Sequence, residues 1–549
     1  MKTLLLILAT LLIVILAFAK DEGPIVKTPL GEIKGHFTKT YMGRVLASFE
    51  GIPYAKPPVG KLRFKEPQPV DPWSDILLAN DTYVCTQFIP MAMTSGIMGT
   101  EDCLYLYIYI PWNKFSVDEN LDVIVHIHGG AFMLGAPKFL GGYQYITDKD
   151  VVFVSFNYRV GIFGFLSMED DVLPGNYGLK DQVMALKWIQ NNIKYFGGNP
   201  NSVTLTGLSA GGASVHYHYL SPMSKSNLFH RGFSQSGTAL NMWALTKKAS
   251  LKAQKVGFYL NCSCERSEEL LQCLQGKDSQ EIVKVLKNFF VFINAIPFTP
   301  FGPVVEKGPN AFLPDHPYTL LKSGQINDHP WVCSNTKNEG IYPVGFFVLY
   351  RKLDELNEKW DDIMPFALDY FDTTSSENRN NITGEIRTRY FNNEKLTIAN
   401  IDKLIDLFTD RAFLVDAETS VKLHAEVSKS PVYYYFFEYK LSLKSLFPKA
   451  VLFVHIIGNP QMFTEPDDKM KNLFMDFIYN FAKSGIPRFG EVEWIPLDNG
   501  DINYLHILFP DNIRMNRTKG FTSRDFWDSL VINENRRLLD NRFPLRYCP

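Results

Sequence analysis

Apolar residues fall into two alternating patterns through the first half of the chain. Asp122 to His128 (DVIVHIH) and Val151 to Asn157 (VVFVSFN) are short, nearly continuous apolar runs, which predicts strands buried on both faces. From Leu179 to Ile193 the period changes: Leu179, Val183, Leu186 and Ile189 or Ile193 recur at three and four, the stripe of an amphipathic helix. Another strand-like run, Ser202 to Thr206, follows at once. Strand, helix, strand in this order predicts an α/β protein with a parallel sheet and crossover helices, whose functional loops lie at the carboxyl ends of strands. The second half is less regular. Residues 280 to 320 mix Pro with apolar and aromatic side chains, and 344 to 410 read as helical insertions capping the sheet. A late strand, Val432 to Tyr439, precedes a helix from Asp467 to Lys483, whose stripe of Met470, Leu473, Phe474, Phe477, Ile478 and Phe481 is a core-packing face. Gly485 and Pro487 stop it.

Composition narrows the class without choosing a chemistry. The chain has 549 residues, 46% hydrophobic and 21% charged, the profile of a large globular protein. Fifty-six Lys and Arg against 58 Asp and Glu leave a net charge of −2, so nothing offers a phosphate backbone the charge it needs, and no nucleic-acid partner is expected. Seven cysteines show no zinc-site spacing, and no metal is expected. The first residues change the address. Lys2, an apolar run from Leu4 to Leu16 and then Ala17-Phe18-Ala19 read as a signal peptide over residues 1–19, too short for the roughly 20 apolar residues of a spanning helix. The expectation is a secreted protein with no integral membrane anchor. N-x-S/T sequons at Asn80, Asn261, Asn381 and Asn516 fit that route. No repeat or low-complexity linker interrupts residues 20–549, which read as one domain.

The chemically informative stretch is Ser202 to Gly212, SVTLTGLSAGG, where a short β-branched strand runs into Gly207-x-Ser209-x-Gly211 and then into a predicted helix. A serine hydroxyl is a poor nucleophile until it is lifted onto a tight strand-to-helix turn, within reach of a base and near the positive end of a helix. Glycines two before and two after are needed because side chains there would collide with neighbouring backbone. A second element, His128-Gly129-Gly130-Ala131-Phe132, follows the strand at 122–128 as a small-residue loop able to aim N–H groups at a developing oxyanion.

HGGAF, NYRVGIFGFLS (157–167), GNYGLKDQ (175–182), FGGNP (196–200), GLSAGG and EDCLYL (101–106) together resemble the type-B carboxylesterase and cholinesterase family, with GLSAGGASVHYHYLSP (207–222) most similar to secreted insect carboxylesterases. The resemblance covers nearly the whole chain after the leader. It implies an α/β-hydrolase fold, a large mostly parallel sheet flanked by helices with helical cap insertions, a Ser-Glu-His triad and no cofactor. The chain order of such a triad is serine, acid, base. The acid is expected at Glu339, in NTKNEG (335–340), since 339 − 209 = 130 suits the family spacing. Three histidines, His424, His455 and His506, lie beyond it. His455 is preferred because 455 − 339 = 116 agrees with the resemblance, although its setting, VLFVHIIG, departs from the family's pattern of a preceding glycine and following acidic residues. His126, His216 and His218 flank the motifs and are expected to be packed neighbours, because they precede the acid.

The resemblance also implies disulfides joining Cys85 to Cys103 and Cys262 to Cys273, leaving Cys264, Cys333 and Cys548. It assigns the oxyanion donors to the N–H groups of Gly130, Ala131 and Ala210, with Ala131 in place of a glycine common at that position. Choline esters are disfavoured: the loop from Cys85 to Cys103 lacks the tryptophan that binds quaternary ammonium in cholinesterases and carries Met91-Ala92-Met93-Thr94-Ser95-Gly96-Ile97-Met98 instead. The expected partner is a small hydrophobic ester, handled by a monomer or weak homodimer. The competing expectation is a hydrolase-fold protein with weak or no catalysis that binds a hydrophobic ligand or a partner protein.

Overall fold

The computed structural model describes residues 23–90, 96–139, 142–225, 227–440, 464–498, 500–522 and 524–532. Eleven strands form one sheet: β1 (His36–Lys39), β2 (Val45–Pro53), β3 (Tyr105–Pro111), β4 (Leu121–Ile127), β5 (Val152–Phe156), β6 (Gly198–Leu208), β7 (Arg231–Gln235), β8 (Trp331–Thr336), β9 (Val432–Phe437), β10 (Ile502–Phe509) and β11 (Asn512–Thr518). Their spatial order is β11-β10-β9-β8-β7-β6-β4-β5-β3-β2-β1. From β5 to β10 every neighbouring pair is parallel, and antiparallel strands close both edges. The chain reverses its direction of travel across the sheet around β4 to β6, where the topology opens a crevice at the strands' carboxyl ends.

Helices cover both faces, which is why the central strands read as continuous apolar runs. In β4 Val123, Val125 and Ile127 enter one core and Ile124 enters the other. On the first face lie α1 (Tyr177–Asn192) and α2 (Ala210–Leu220), whose Leu179, Val183, Leu186, Ile189, Ala213, Val215 and Tyr217 join the same cluster. Fully burying one such aliphatic or aromatic side chain is worth roughly 1.5–3 kcal/mol. On the second face lies α6 (Glu465–Ser484), with Met470, Phe474, Phe477, Ile478 and Phe481 against the sheet. Between these come α3 (Ala249–Tyr259), α4 (Ile341–Leu349) and α5 (Val415–Val427). Residues from Ile341 to Val415, the helical insertion, form a third cluster together with Phe292, Ile296, Trp527, Leu530 and Ile532.

Element boundaries differ from the sequence reading where capping or pairing decides them. α6 begins two residues before the expected start at Asp467, because Thr464 and Asp467 form a capping box with Pro466 in the first turn, and Gly485 closes it in the left-handed conformation at φ 73°. β6 begins at Gly198, where a single pairing with Leu121 precedes a register shift to Val203. Buried ion pairs explain several family motifs. Arg159 grips Asp181 in a bidentate pair at 2.8 and 2.7 Å, fastening the loop after β5 to α1, and Arg63 grips Glu101 at 2.6 Å through two nitrogens. Cys85–Cys103 and Cys262–Cys273 are disulfide-bonded, Cys264 and Cys333 carry free thiols, and Cys548 lies outside the described residues. The leader at 1–19 also lies outside them, and no helix among the described residues is long and apolar enough to cross a membrane.

Candidate active site

At the carboxyl end of β6 the chain turns into α2 through one residue. Ser209 takes φ 58° and ψ −122°, a conformation that costs a side-chain-bearing residue on the order of 1–3 kcal/mol. Its neighbours hold it there. The Ser209 N–H donates to the Gln235 carbonyl at 2.8 Å, and its own carbonyl accepts from the Ala213 N–H at 2.9 Å. A methyl on Gly207 would sit 2.3 Å from the Gly211 carbonyl, and one on Gly211 would sit 2.0 Å from the Ile127 oxygen. The turn therefore closes only with glycine at both places, and it leaves the hydroxyl at the head of α2, the helix's positive end.

The loop after β4 lies alongside. A methyl on Gly129 would come within 3.2 Å of the Ser209 Cβ, so the two backbones are neighbours. Gly130 at φ 119°, Ala131 at 54° and Phe132 at 58° turn the loop back on itself. A side chain at Gly130 would strike the Leu134 carbonyl at 1.9 Å. Phe132 is buried and meets the Phe165 ring edge-on, anchoring the loop. Among the described residues the N–H groups of Gly130 and Ala131 make no hydrogen bond, and Ala210, as the first residue of α2, has an N–H with no intrahelical acceptor.

Glu339 projects from the loop after β8 into the same cavity. One carboxylate oxygen, Oε1, accepts from the Ser236 hydroxyl at 2.6 Å, the Thr336 N–H at 2.8 Å and the Asn335 amide at 3.3 Å. Burial pushes the carboxyl up from its ordinary range, and these three donors pull against that rise. The glycine that follows has a steric reason: a methyl on Gly340 would meet the Ile405 carbonyl at 2.1 Å, and the Gly340 N–H donates to Thr409 Oγ1 at 2.9 Å.

Ser236 is the residue that sequence reasoning passed over. It directly follows β7 in Gln235-Ser236-Gly237, and a methyl on Gly237 would lie 2.1 Å from the Ser209 carbonyl. A second Gly- and Ser-bearing turn at the end of the adjacent strand was the available signal.

The histidines separate cleanly. His126 meets Thr206 Oγ1 at 3.0 Å, and burial lowers its pKa to about 4. His218 bridges Ser224 and Gln182, lowered to about 3 by burial. His216 accepts from the Ala239 N–H through Nδ1, so its Nε2 carries the proton and donates to Nδ1 of His424 at 3.3 Å. His424 is thereby engaged, buried with Trp331 tilted against its ring and Tyr219 edge-on to it, and His506 pairs with Glu438 at 3.0 Å. None of these lines the cavities around Ser209. His128 does line one, but it stacks on Tyr158 and is lowered to about 4 by burial. His455 lies outside the described residues.

Two apolar chambers meet at the serine. The larger, about 300 Å³, is walled by His128, the loop after β4, Phe139, Ser236 and Glu339. The smaller, about 80 Å³, is walled by Phe88, Met133, Trp243, Phe290, Phe298 and Phe346. Gly130, Ala131, Leu134, Ser209, Tyr342 and Phe413 belong to both. Of the methionine-rich loop, residues 91–95 lie outside the described residues, whereas Ile97 and Met98 pair with Gln87 and Phe88 as a short antiparallel ribbon. Among the described residues no cluster of three or more His, Cys, Asp or Glu is placed to hold a metal ion.

The carboxylesterase family profile matches residues 22–527. Venom carboxylesterase-6 of Apis mellifera is 39% identical over 534 residues, 93% of this chain and 95% of that one. A carboxylic ester hydrolase of Bombus ignitus is 38% identical over 542 residues, covering 95% and 96%. Juvenile hormone esterase from Manduca sexta, solved with OTFP covalently attached, superposes with a TM-score of 0.80 at 29% identity, over 92% of this chain and 99% of that one. A strand-to-helix serine between two apolar chambers, on a sheet of this topology and with relatives of this kind, places the chain in the carboxylesterase family as a carboxylic ester hydrolase of the α/β-hydrolase fold.

Proposed function

We propose that residues 20–549 form a secreted serine carboxylesterase domain, following a signal peptide over 1–19, that cleaves esters with apolar acyl and alcohol groups through an acyl-enzyme on Ser209. The observation that carries this reading is the position of Ser209 in the wall shared by the two chambers, with the Glu339 carboxylate in the larger one. Ser209 Oγ attacks the ester carbonyl while His455 takes its proton. The oxyanion gathers hydrogen bonds from the N–H groups of Gly130, Ala131 and Ala210, each worth about 3 kcal/mol to the transition state. Glu339 holds the imidazole in the donating tautomer and stabilises its cation; Oε2 is the oxygen left for that task, since Oε1 already takes three donors. His455 then returns the proton to the alcohol, and water frees the acid by the same steps in reverse.

Phenyl rings and aliphatic side chains around the serine favour apolar groups on both sides of the ester. The protein acts as a monomer or weak homodimer. Its sequons at Asn80, Asn261 and Asn381 are exposed, as glycan attachment requires, whereas Asn516 is half-buried with its amide against His506 Nδ1 at 3.1 Å. A chromogenic short-chain ester tests the whole reading. Wild type is expected to turn over and to show an acyl adduct on the Ser209 peptide by mass spectrometry, while Ser209→Ala and His455→Ala are inert. A wild type as inert as both variants replaces the enzyme with a binding protein; a fully active His455→Ala moves the base elsewhere and leaves the esterase standing.

A further inference from the structure

Two aromatic side chains stand in solvent at the end of α3. Phe258 is 73% exposed and Tyr259 44%, with their rings 5.6 Å apart and Phe289 beside Tyr259 at 6.3 Å. Exposed aromatics grouped in this way call for an occupant. The chain supplies an attachment point within two residues. α3 ends in a left-handed cap in which the Cys262 N–H bonds the Gly257 carbonyl at 2.9 Å and the Asn261 N–H bonds the Phe258 carbonyl at 3.2 Å. Asn261 is the left-handed residue, at φ 54°. Asparagine tolerates that conformation, which by itself explains why it stands here. It does not explain the two bare rings beside an acceptor sequon that Ser263 completes while its hydroxyl donates to Glu269 Oε2 at 2.7 Å. The cap uses the Asn261 backbone; its side chain is exposed, and among the described residues no hydrogen bond engages its amide. The other three sequons lack this arrangement: the residues two and three before Asn80, Asn381 and Asn516 are Leu78 and Leu77, Arg379 and Asn378, and Arg514 and Ile513.

We propose that Asn261 carries an N-linked glycan whose first sugar lies on the Phe258–Tyr259 face. The inference rests on the secretory reading above. The donor is a lipid-pyrophosphate-linked oligosaccharide. A bond forms from Asn261 Nδ2 to C1 of its reducing-end N-acetylhexosamine, the C1–O bond to pyrophosphate breaks, and the amide proton leaves as the lipid pyrophosphate departs. Such a sugar presents a face of axial C–H groups, polarised positively and suited to the negative face of an aromatic ring. Once seated, it removes ring and sugar carbon from water together and fastens the helix end to the disulfide-closed loop from Cys262 to Cys273.

The test expresses the full chain, leader included, in a eukaryotic secretory host. Mass spectrometry of glycopeptides reads occupancy at each sequon. Hydrogen exchange then compares the protein trimmed to one sugar with protein stripped by peptide N-glycosidase, which leaves aspartate, another residue at ease in the cap. Amides of 258–262 are expected to exchange about three- to tenfold more slowly with the sugar present. In the Phe258→Leu/Tyr259→Leu variant that difference should vanish while occupancy persists. Protection that survives loss of both rings overturns the proposal. So does an unmodified Asn261 beside sugar at Asn80 or Asn381, which leaves the secretory reading intact; no sugar at any of the four overturns both.

Discussion

The turn bearing Ser209 and the loop bearing Glu339 reach one cavity by different physical means. Around the serine, position is enforced by contact: methyls at Gly207 and Gly211 would lie 2.3 and 2.0 Å from backbone atoms. Around the glutamate, position is enforced by hydrogen bonds, three of them on one oxygen. Steric placement is unforgiving but indifferent to pH. Polar placement is adjustable, and it sets a pKa as well as a position.

The most severe way to break the steric side is Gly211→Ala. The hydroxyl remains, yet esterase activity is expected to fall by about 10⁴ or more, as far as in Ser209→Ala, with soluble yield falling too because the methyl cannot fit against Ile127. Full activity in purified Gly211→Ala, measured with a chromogenic ester, would remove the steric argument. On the polar side, Glu339→Gln is expected to lower kcat by about 10³–10⁴ with KM nearly unchanged, because the amide no longer stabilises the imidazolium.

Ser236→Ala sharpens the contrast. It deletes one of the donors that pull the Glu339 carboxyl down, so that pKa rises further. Activity should fall about tenfold, and the acid limb of the kcat profile should move to higher pH, a displacement that a merely structural defect would not produce. Ser236→Thr, which retains the hydroxyl, should restore the limb.

The smallest effect concerns stability alone. His126 and His128 lie near pKa 4 and His218 and His424 near 3, all through burial, whereas unfolded histidine titrates near 6.5. Between those values the unfolded chain binds more protons. Their contribution is present above about pH 6.5 and is lost as pH falls towards 4. The thermal midpoint should drop by about 5 °C or more between pH 7 and pH 5. A flat profile over that range would mean that these rings are not sealed in neutral form.

The same contrast governs how much of this could be read before folding. Steric requirements leave local marks, so Gly207-x-Ser209-x-Gly211 and the loop at 128–132 announced themselves, and so did the doubly buried strands β4 and β5, whose alternate residues enter different cores. Polar placement leaves fainter ones. Glu339 emerged through its spacing and the glycine after it, but the reason for that glycine lies 65 residues downstream at Ile405 (405 − 340 = 65), which no local pattern encodes. Ser236 was passed over because its partner is distant in sequence and adjacent only in the sheet. His424 and His506 met the chain-order condition as well as His455 did, and His455 was preferred on its spacing from Glu339; the His216–His424 hydrogen bond and the Glu438 pair engage the other two elsewhere.

The Gly340–Ile405 contact has one more consequence. The residue after the acid is seated against the backbone of the helical insertion with no clearance for a single carbon, and its N–H is tied to Thr409. The carboxylate and that insertion therefore shift as one body. A change that moves the insertion's backbone at Ile405 is therefore expected to move the carboxylate proposed as the triad acid with it, so the two cannot be redesigned separately.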